Sequence, residues 1–69
     1  MGKDHPGLVQ LYSNIGYVYI KLKDYANALE YFKKSLAVKE KILGDDHPST
    51  KETKETIERL KQKLNQKEK

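Results

Sequence analysis

Two histidines and the carboxylates beside them are the first residues to weigh for chemistry in this 69-residue chain. His5 follows Asp4, and His47 follows Asp45 and Asp46. Imidazole and carboxylate together are donors for zinc or another divalent metal, and the same pair serves acid–base catalysis. Their spacing argues against both uses. Gly2-Lys3-Asp4-His5-Pro6 returns 42 residues later as Gly44-Asp45-Asp46-His47-Pro48, with four of five positions identical. Recurrence at a period of about 20–50 residues marks a repeat architecture. Residues one repeat apart sit on neighbouring layers, whose helix axes stand about 8–10 Å apart, too far for a shared ion. Each Asp-His-Pro is therefore read as punctuation. Gly44 suits the left-handed residue that ends a helix, and proline suits the first position of the next. No nucleophile elbow, phosphate-binding glycine loop or metalloprotease helix motif occurs in the sequence. One hairpin also offers little concavity for catalysis. The expectation is a non-enzyme with no metal and no cofactor.

The composition narrows the class further. A single small domain is the most that 69 residues allow. The chain has no cysteine, which removes disulfides and thiolate chemistry. No apolar run approaches the roughly 20 residues needed to span a bilayer, and the N-terminus lacks the apolar stretch of a signal peptide. The default expectation is a soluble, cytoplasmic protein that does not engage membranes. The net charge of +4 is modest. It divides as +1 over residues 1–48 and +3 over 49–69, where the signs alternate. Nucleic-acid binding by a basic helical domain is the weaker alternative, since it requires a patch of one sign.

These features place the elements in order. Residues 1–5 form an N-terminal turn, and a first helix runs over about 6–22. Its apolar residues are Leu8, Val9, Leu11, Tyr12, Ile15, Val18, Tyr19 and Leu22, at spacings of three and four. Leu11, Ile15, Val18 and Leu22 make one line; Leu8, Tyr12 and Tyr19, with Gly16 between them, make a second. Two lines predict two packing partners. A glycine inside a helix costs about 1 kcal/mol relative to alanine, so Gly16 predicts close approach by another helix. Asp24 is a suitable N-cap for a second helix over about 25–43. That helix carries Tyr25, Ala28, Leu29, Phe32, Leu36, Ile42 and Leu43. So short a connection makes the two helices antiparallel neighbours. After a junction turn at 44–48, a third helix over 49–69 ends in a basic tail that should fray. Its apolar residues are Ile57, Leu60 and Leu64, with Thr50 and Thr53 on the same side. Shifted by 42, these positions become Leu8, Leu11, Ile15, Val18 and Leu22. The other line becomes polar, with Lys54 for Tyr12, Glu58 for Gly16 and Lys61 for Tyr19. A last helix that keeps one packing face and makes the other polar is a solubilising cap.

Tyr12, Ile15, Gly16, Tyr19, Ala28 and Phe32 stand at the spacing of the tetratricopeptide repeat signature, and the chain resembles that family from Val9 to Ile42. Two positions depart from the signature. Ser35 replaces a usual small alanine, and Glu40 replaces a usual helix-ending proline. The latter lets the second helix run on. With the 42-residue period and the Leu43-Gly44-Asp45-Asp46-His47-Pro48 junction, the pattern is similar to the kinesin-light-chain-type variant. The resemblance covers one repeat plus a cap, as in a piece of a longer repeat array. It implies an all-α fold: an antiparallel helical hairpin plus a C-terminal capping helix, the unit of an α-solenoid. It also implies a protein or peptide partner, held in a concave groove lined by the first helix of each repeat. The positions off both packing lines are Gln10, Ser13, Asn14, Tyr17 and Lys21 on the first helix. On the third they are Glu52, Glu55, Thr56, Arg59 and Lys63. Asn14 matches an asparagine that family members use to hold a peptide backbone. Ser13 and Tyr17 stand where one subtype has a lysine and an asparagine that clamp a C-terminal carboxylate, so that clamp is not expected.

The first helix's outer line raises a second expectation. Leu8, Leu11, Ile15, Val18 and Leu22 lack a preceding helix to pack against. Leaving aliphatic side chains in water is unfavourable at about 25 cal/mol per Å². Self-association is therefore expected, either by docking of this face or by domain swapping through a Leu22-Lys23-Asp24 hinge that contains neither glycine nor proline.

Overall fold

The computed structural model describes residues 6–66 as three helices: α1 (Pro6–Lys21), α2 (Tyr25–Ile42) and α3 (Pro48–Gln66). No strand occurs among the described residues. The expected turn at residues 1–5, with Asp4 and His5, and the tail at 67–69 lie outside them. The fold is an all-α hairpin followed by a third helix. Helix α2 is central: it packs against α1 on one side and α3 on another, while α1 and α3 do not pack on each other.

Local hydrogen bonding explains both connections. At the end of α1, Lys23 adopts the left-handed conformation, with φ 63°. Its N–H donates to the Ile20 carbonyl at 2.9 Å, and the Asp24 N–H donates to the Tyr19 carbonyl at 2.8 Å. This paired closure satisfies carbonyls that a helix end leaves free. Glycine is the usual residue for such a position, because a Cβ there crowds the following carbonyl. Asp24 then caps α2. Its carboxylate accepts from the Asn27 N–H at 3.4 Å and from the Asn27 side-chain amide at 2.8 Å. At the second junction Gly44 has φ 89°, and the N–H groups of Leu43 and Gly44 both reach the Lys39 carbonyl. His47 begins α3 in an unexpected way. Its Nδ1 accepts from the Ser49 N–H at 3.0 Å, while its own carbonyl takes the Lys51 N–H at 3.0 Å. The imidazole thus serves as N-cap, with Pro48 at the first helical position, where it lacks no needed donor.

The core lies along α2. Ala28 and Phe32 join Ile57 and Leu60 of α3 in one buried cluster, with Tyr19, Ile20, Tyr25, Leu29 and Leu36 packed around it. Gly16 opens the space that Phe32 fills. A Cβ on Gly16 would stand 2.6 Å from Phe32 Cε2, 2.8 Å from Cδ2 and 3.1 Å from Cζ. The close approach at Gly16 is thus made by a ring from α2. Tyr31 sits between two α1 tyrosines, stacked on Tyr19 at a centroid distance of 5.8 Å and tilted against Tyr12 at 6.2 Å. Ile20, Tyr31 and Val38 therefore belong to the packing, although none lies on the lines read from the sequence.

Helix α3 docks through Thr50, Thr53, Ile57 and Leu60, all buried, with Leu64 half-buried. A flanking side of α3 carries ion pairs in contact with solvent, Lys54 with Asp45 of the junction at 3.6 Å and Lys61 with Glu58 at 3.8 Å. The Thr50 hydroxyl is fully buried without a hydrogen-bond partner.

Candidate functional site

A cleft of about 380 Å3 opens where α1 and α3 diverge across α2. Each helix contributes one surface. Ser13 and Tyr17, four residues apart on α1, form one wall. Glu52, Thr53, Glu55, Thr56 and Arg59 of α3 form the other. Phe32 and Lys39 of α2 supply the floor.

The lining is held by contacts that leave part of it available. Ser13 Oγ shares a hydrogen bond with the buried Ser35 Oγ at 3.1 Å, which ties the α1 wall to α2. Tyr17 is 54% exposed, yet its ring meets Phe32 edge-on at 5.2 Å, so it is an aromatic surface in a fixed orientation. The Lys39 ammonium donates to Thr53 Oγ1 at 2.6 Å and to the Ser49 carbonyl at 3.3 Å. Thr53 in turn donates to the Ser49 carbonyl at 3.2 Å, and Thr56 donates to the Glu52 carbonyl at 3.1 Å. An ammonium has three donors, so Lys39 keeps one beyond these two. Glu52, Glu55 and Arg59 form no ion pair with a described residue. The cleft thus presents donors, acceptors and one aromatic face.

Of the positions expected to bind a peptide, Ser13, Tyr17, Glu55 and Arg59 line this cleft, as do Glu52 and Thr56. Gln10, Asn14, Lys21 and Lys63 do not. Gln10, Asn14 and Lys21 are exposed on α1. Asn14 stands one position, about 100°, round the helix from Ser13, whereas Lys21 and Gln10 lie on nearly the same side as Tyr17, Lys21 one turn beyond the cleft toward the end of α1 and Gln10 about one turn before Ser13. Lys63 reaches the other way, with Nζ 5.5 Å from the Tyr25 ring centroid. Phe32 and Lys39 were missed as lining residues. A comparison of α1 with α3 at a 42-residue shift contains no term for α2, so the floor carried no signal.

The α1 outer line has its own geometry. Leu11, Val18 and Leu22 are 50%, 55% and 67% exposed, whereas Leu8 and Ile15 are half-buried. The equivalent α3 residues are those that dock on α2.

Among the described residues no group of three or more His, Cys, Asp or Glu side chains is placed to hold a metal ion. No described helix is long and apolar enough to cross a membrane. Comparison with curated proteins and with solved structures returns no match. The family model described as tetratricopeptide repeat matches residues 2–69. A central helix flanked by two others, Gly16 seated under Phe32 and a second repeat begun by α3 accord with that match. The chain belongs to the tetratricopeptide repeat family.

Proposed function

We propose that the cleft between α1 and α3 seats an extended segment of a protein partner. Tetratricopeptide repeats are protein-interaction modules, which supports a non-catalytic binding role. The observation that carries the reading is the cleft itself: α1 and α3 both pack on α2 and leave a trough between them. A peptide backbone alternates N–H and C=O groups, and here Glu52 and Glu55 can accept while Arg59 and Lys39 donate. Tyr17 adds a face for one apolar side chain. The 42-residue period and the long α2, which passes Glu40 without a break, support the kinesin-light-chain-type variant.

A fluorescence-polarisation screen against a library of short peptides tests this. For a peptide so found, Tyr17→Ala and Arg59→Ala should each weaken binding about tenfold, in the range of an interface anchor; Arg59→Ala should leave the melting temperature unchanged, whereas Tyr17→Ala should also lower it through the lost edge-on contact with Phe32. Asn14→Ala in the same assay decides whether the residue outside the cleft also takes part. Binding unchanged by both Tyr17→Ala and Arg59→Ala would refute the cleft as the seat.

A second reading rests on the exposed line Leu11, Val18 and Leu22. An apolar helix face in water marks an interface, and a second copy of the chain can cover it. Light scattering at millimolar protein should then show species larger than a monomer.

A further inference from the structure

The charged side chains of the cleft have not neutralised one another. Glu52, Glu55 and Arg59 are exposed on α3 and form no ion pair with a described residue. Glu55 and Arg59 stand at the four-residue spacing at which a carboxylate and a guanidinium can meet on a helix, yet they do not pair. The Lys39 ammonium is bonded only to neutral oxygens, those of Ser49 and Thr53. The charges are also sorted along the cleft. Lys39 meets Thr53, next to Glu52, at the junction end. Phe32, seven residues earlier on α2, meets Tyr17 and shares its buried cluster with Leu60, the neighbour of Arg59. Carboxylates thus lie toward the junction, where two of them outweigh the single Lys39 charge, and Arg59 lies toward Tyr17. At 1.5 Å per residue, the midpoint of Glu52 and Glu55 is roughly 8 Å along α3 from Arg59. The α1 wall, Ser13 and Tyr17, carries no charge.

We propose that the segment held in the cleft carries a basic, an apolar and an acidic side chain in succession, the basic one at Glu52 and Glu55 and the acidic one at Arg59. This rests on the cleft reading and names the chemistry of its ligand. An extended chain rises about 3.3 Å per residue and turns successive side chains to opposite sides. Residues two apart therefore stand about 6.6 Å apart on one side, close to the separation of the two charge centres on α3, and long side chains span the remainder. The residue between them faces α1, where Tyr17 offers a ring set edge-on to Phe32. A helical segment would turn residues two apart away from each other, so the match selects an extended one. Lys39 keeps one donor for a backbone carbonyl of the segment. Exposed ion pairs add little affinity, so these charges act mainly by rejecting segments of a single sign.

Fluorescence polarisation at low salt, with short end-capped peptides that differ only in a central Lys-Leu-Asp, Asp-Leu-Asp or Lys-Leu-Lys, tests the match. Lys-Leu-Asp should bind roughly tenfold tighter than either of the others. Arg59→Glu should move the preference to Lys-Leu-Lys, and Glu52→Lys together with Glu55→Lys should move it to Asp-Leu-Asp. Circular dichroism of the variants should match the parent, since all three side chains are exposed. An order of preference that neither variant changes overturns the proposal. Equal binding of the three peptides, weakened by Tyr17→Ala, overturns the charge match and leaves the cleft as the seat. Binding of none of them, nor of any peptide in the wider screen, overturns both.

Discussion

Replacing Gly16 with alanine probes the tightest contact of the hairpin. Two effects oppose each other. Alanine in place of glycine inside a helix stabilises by about 1 kcal/mol. Against this, the added methyl would lie 2.6, 2.8 and 3.1 Å from three atoms of the Phe32 ring. Carbon atoms rest about 3.5–4.0 Å apart, so the ring must retreat by roughly an ångström. It has little room. Phe32 is 2% exposed, belongs to the cluster with Ala28, Ile57 and Leu60, and takes the edge-on contact with Tyr17. Overpacking of such a site costs about 1–3 kcal/mol, and three clashing atoms put this case near the upper end. The net expectation is a loss of about 2 kcal/mol. For a domain of this size that lowers the melting temperature by roughly 10 °C, readable by circular dichroism. Phe32→Leu in the Gly16→Ala background should recover part of the loss, with a coupling of about 1 kcal/mol in the double-mutant cycle. A Gly16→Ala chain more stable than the parent by the full helix-propensity increment would refute the reasoning.

Two further predictions concern α3. Thr50→Val removes a buried hydroxyl with no partner and should raise stability by about 1 kcal/mol; a lower melting temperature would mean the hydroxyl is satisfied in solution. His47→Ala removes the acceptor for the Ser49 N–H and should destabilise by about 0.5–2 kcal/mol, whereas His47→Asp, a preferred cap, should hold stability. Equal melting temperatures for these two variants would show that the imidazole does not cap α3.

Much of this architecture was legible in the sequence because a repeat contains its own alignment. Shifting by 42 residues pairs Ile15 with Ile57 and Val18 with Leu60, and so assigns the face by which α3 docks. Asp24 could be read as a cap from its type alone, and its carboxylate accepts from Asn27 as that type predicts. His47 could not, since imidazole is not among the preferred caps and only the junction geometry turns Nδ1 toward Ser49. Lys23 gave no sign of its backbone state, because lysine is not a left-handed residue by preference. Tyr31 and Val38 escaped for another reason: α2 packs on two sides, so its apolar residues spread beyond one stripe. The cleft was half legible. Its walls come from the repeated helices, while its floor depends on how α2 presents Phe32 and Lys39 between them.

The ion-paired side of α3 gives the molecule a direction. Where α1 offers Tyr12, Gly16 and Tyr19 to a following helix, α3 offers Lys54, Glu58 and Lys61. Glu58 occupies the position of the vacancy that receives Phe32 one repeat earlier, so an α2-type helix has no seat there. In the language of polymers, this side of α3 has the chemistry of an end group, and the outer line of α1 that of a reactive one. Copies joined in tandem would stack only where the α3 face is rewritten, and Lys54→Tyr, Glu58→Gly and Lys61→Tyr are the three changes that would restore it as a link.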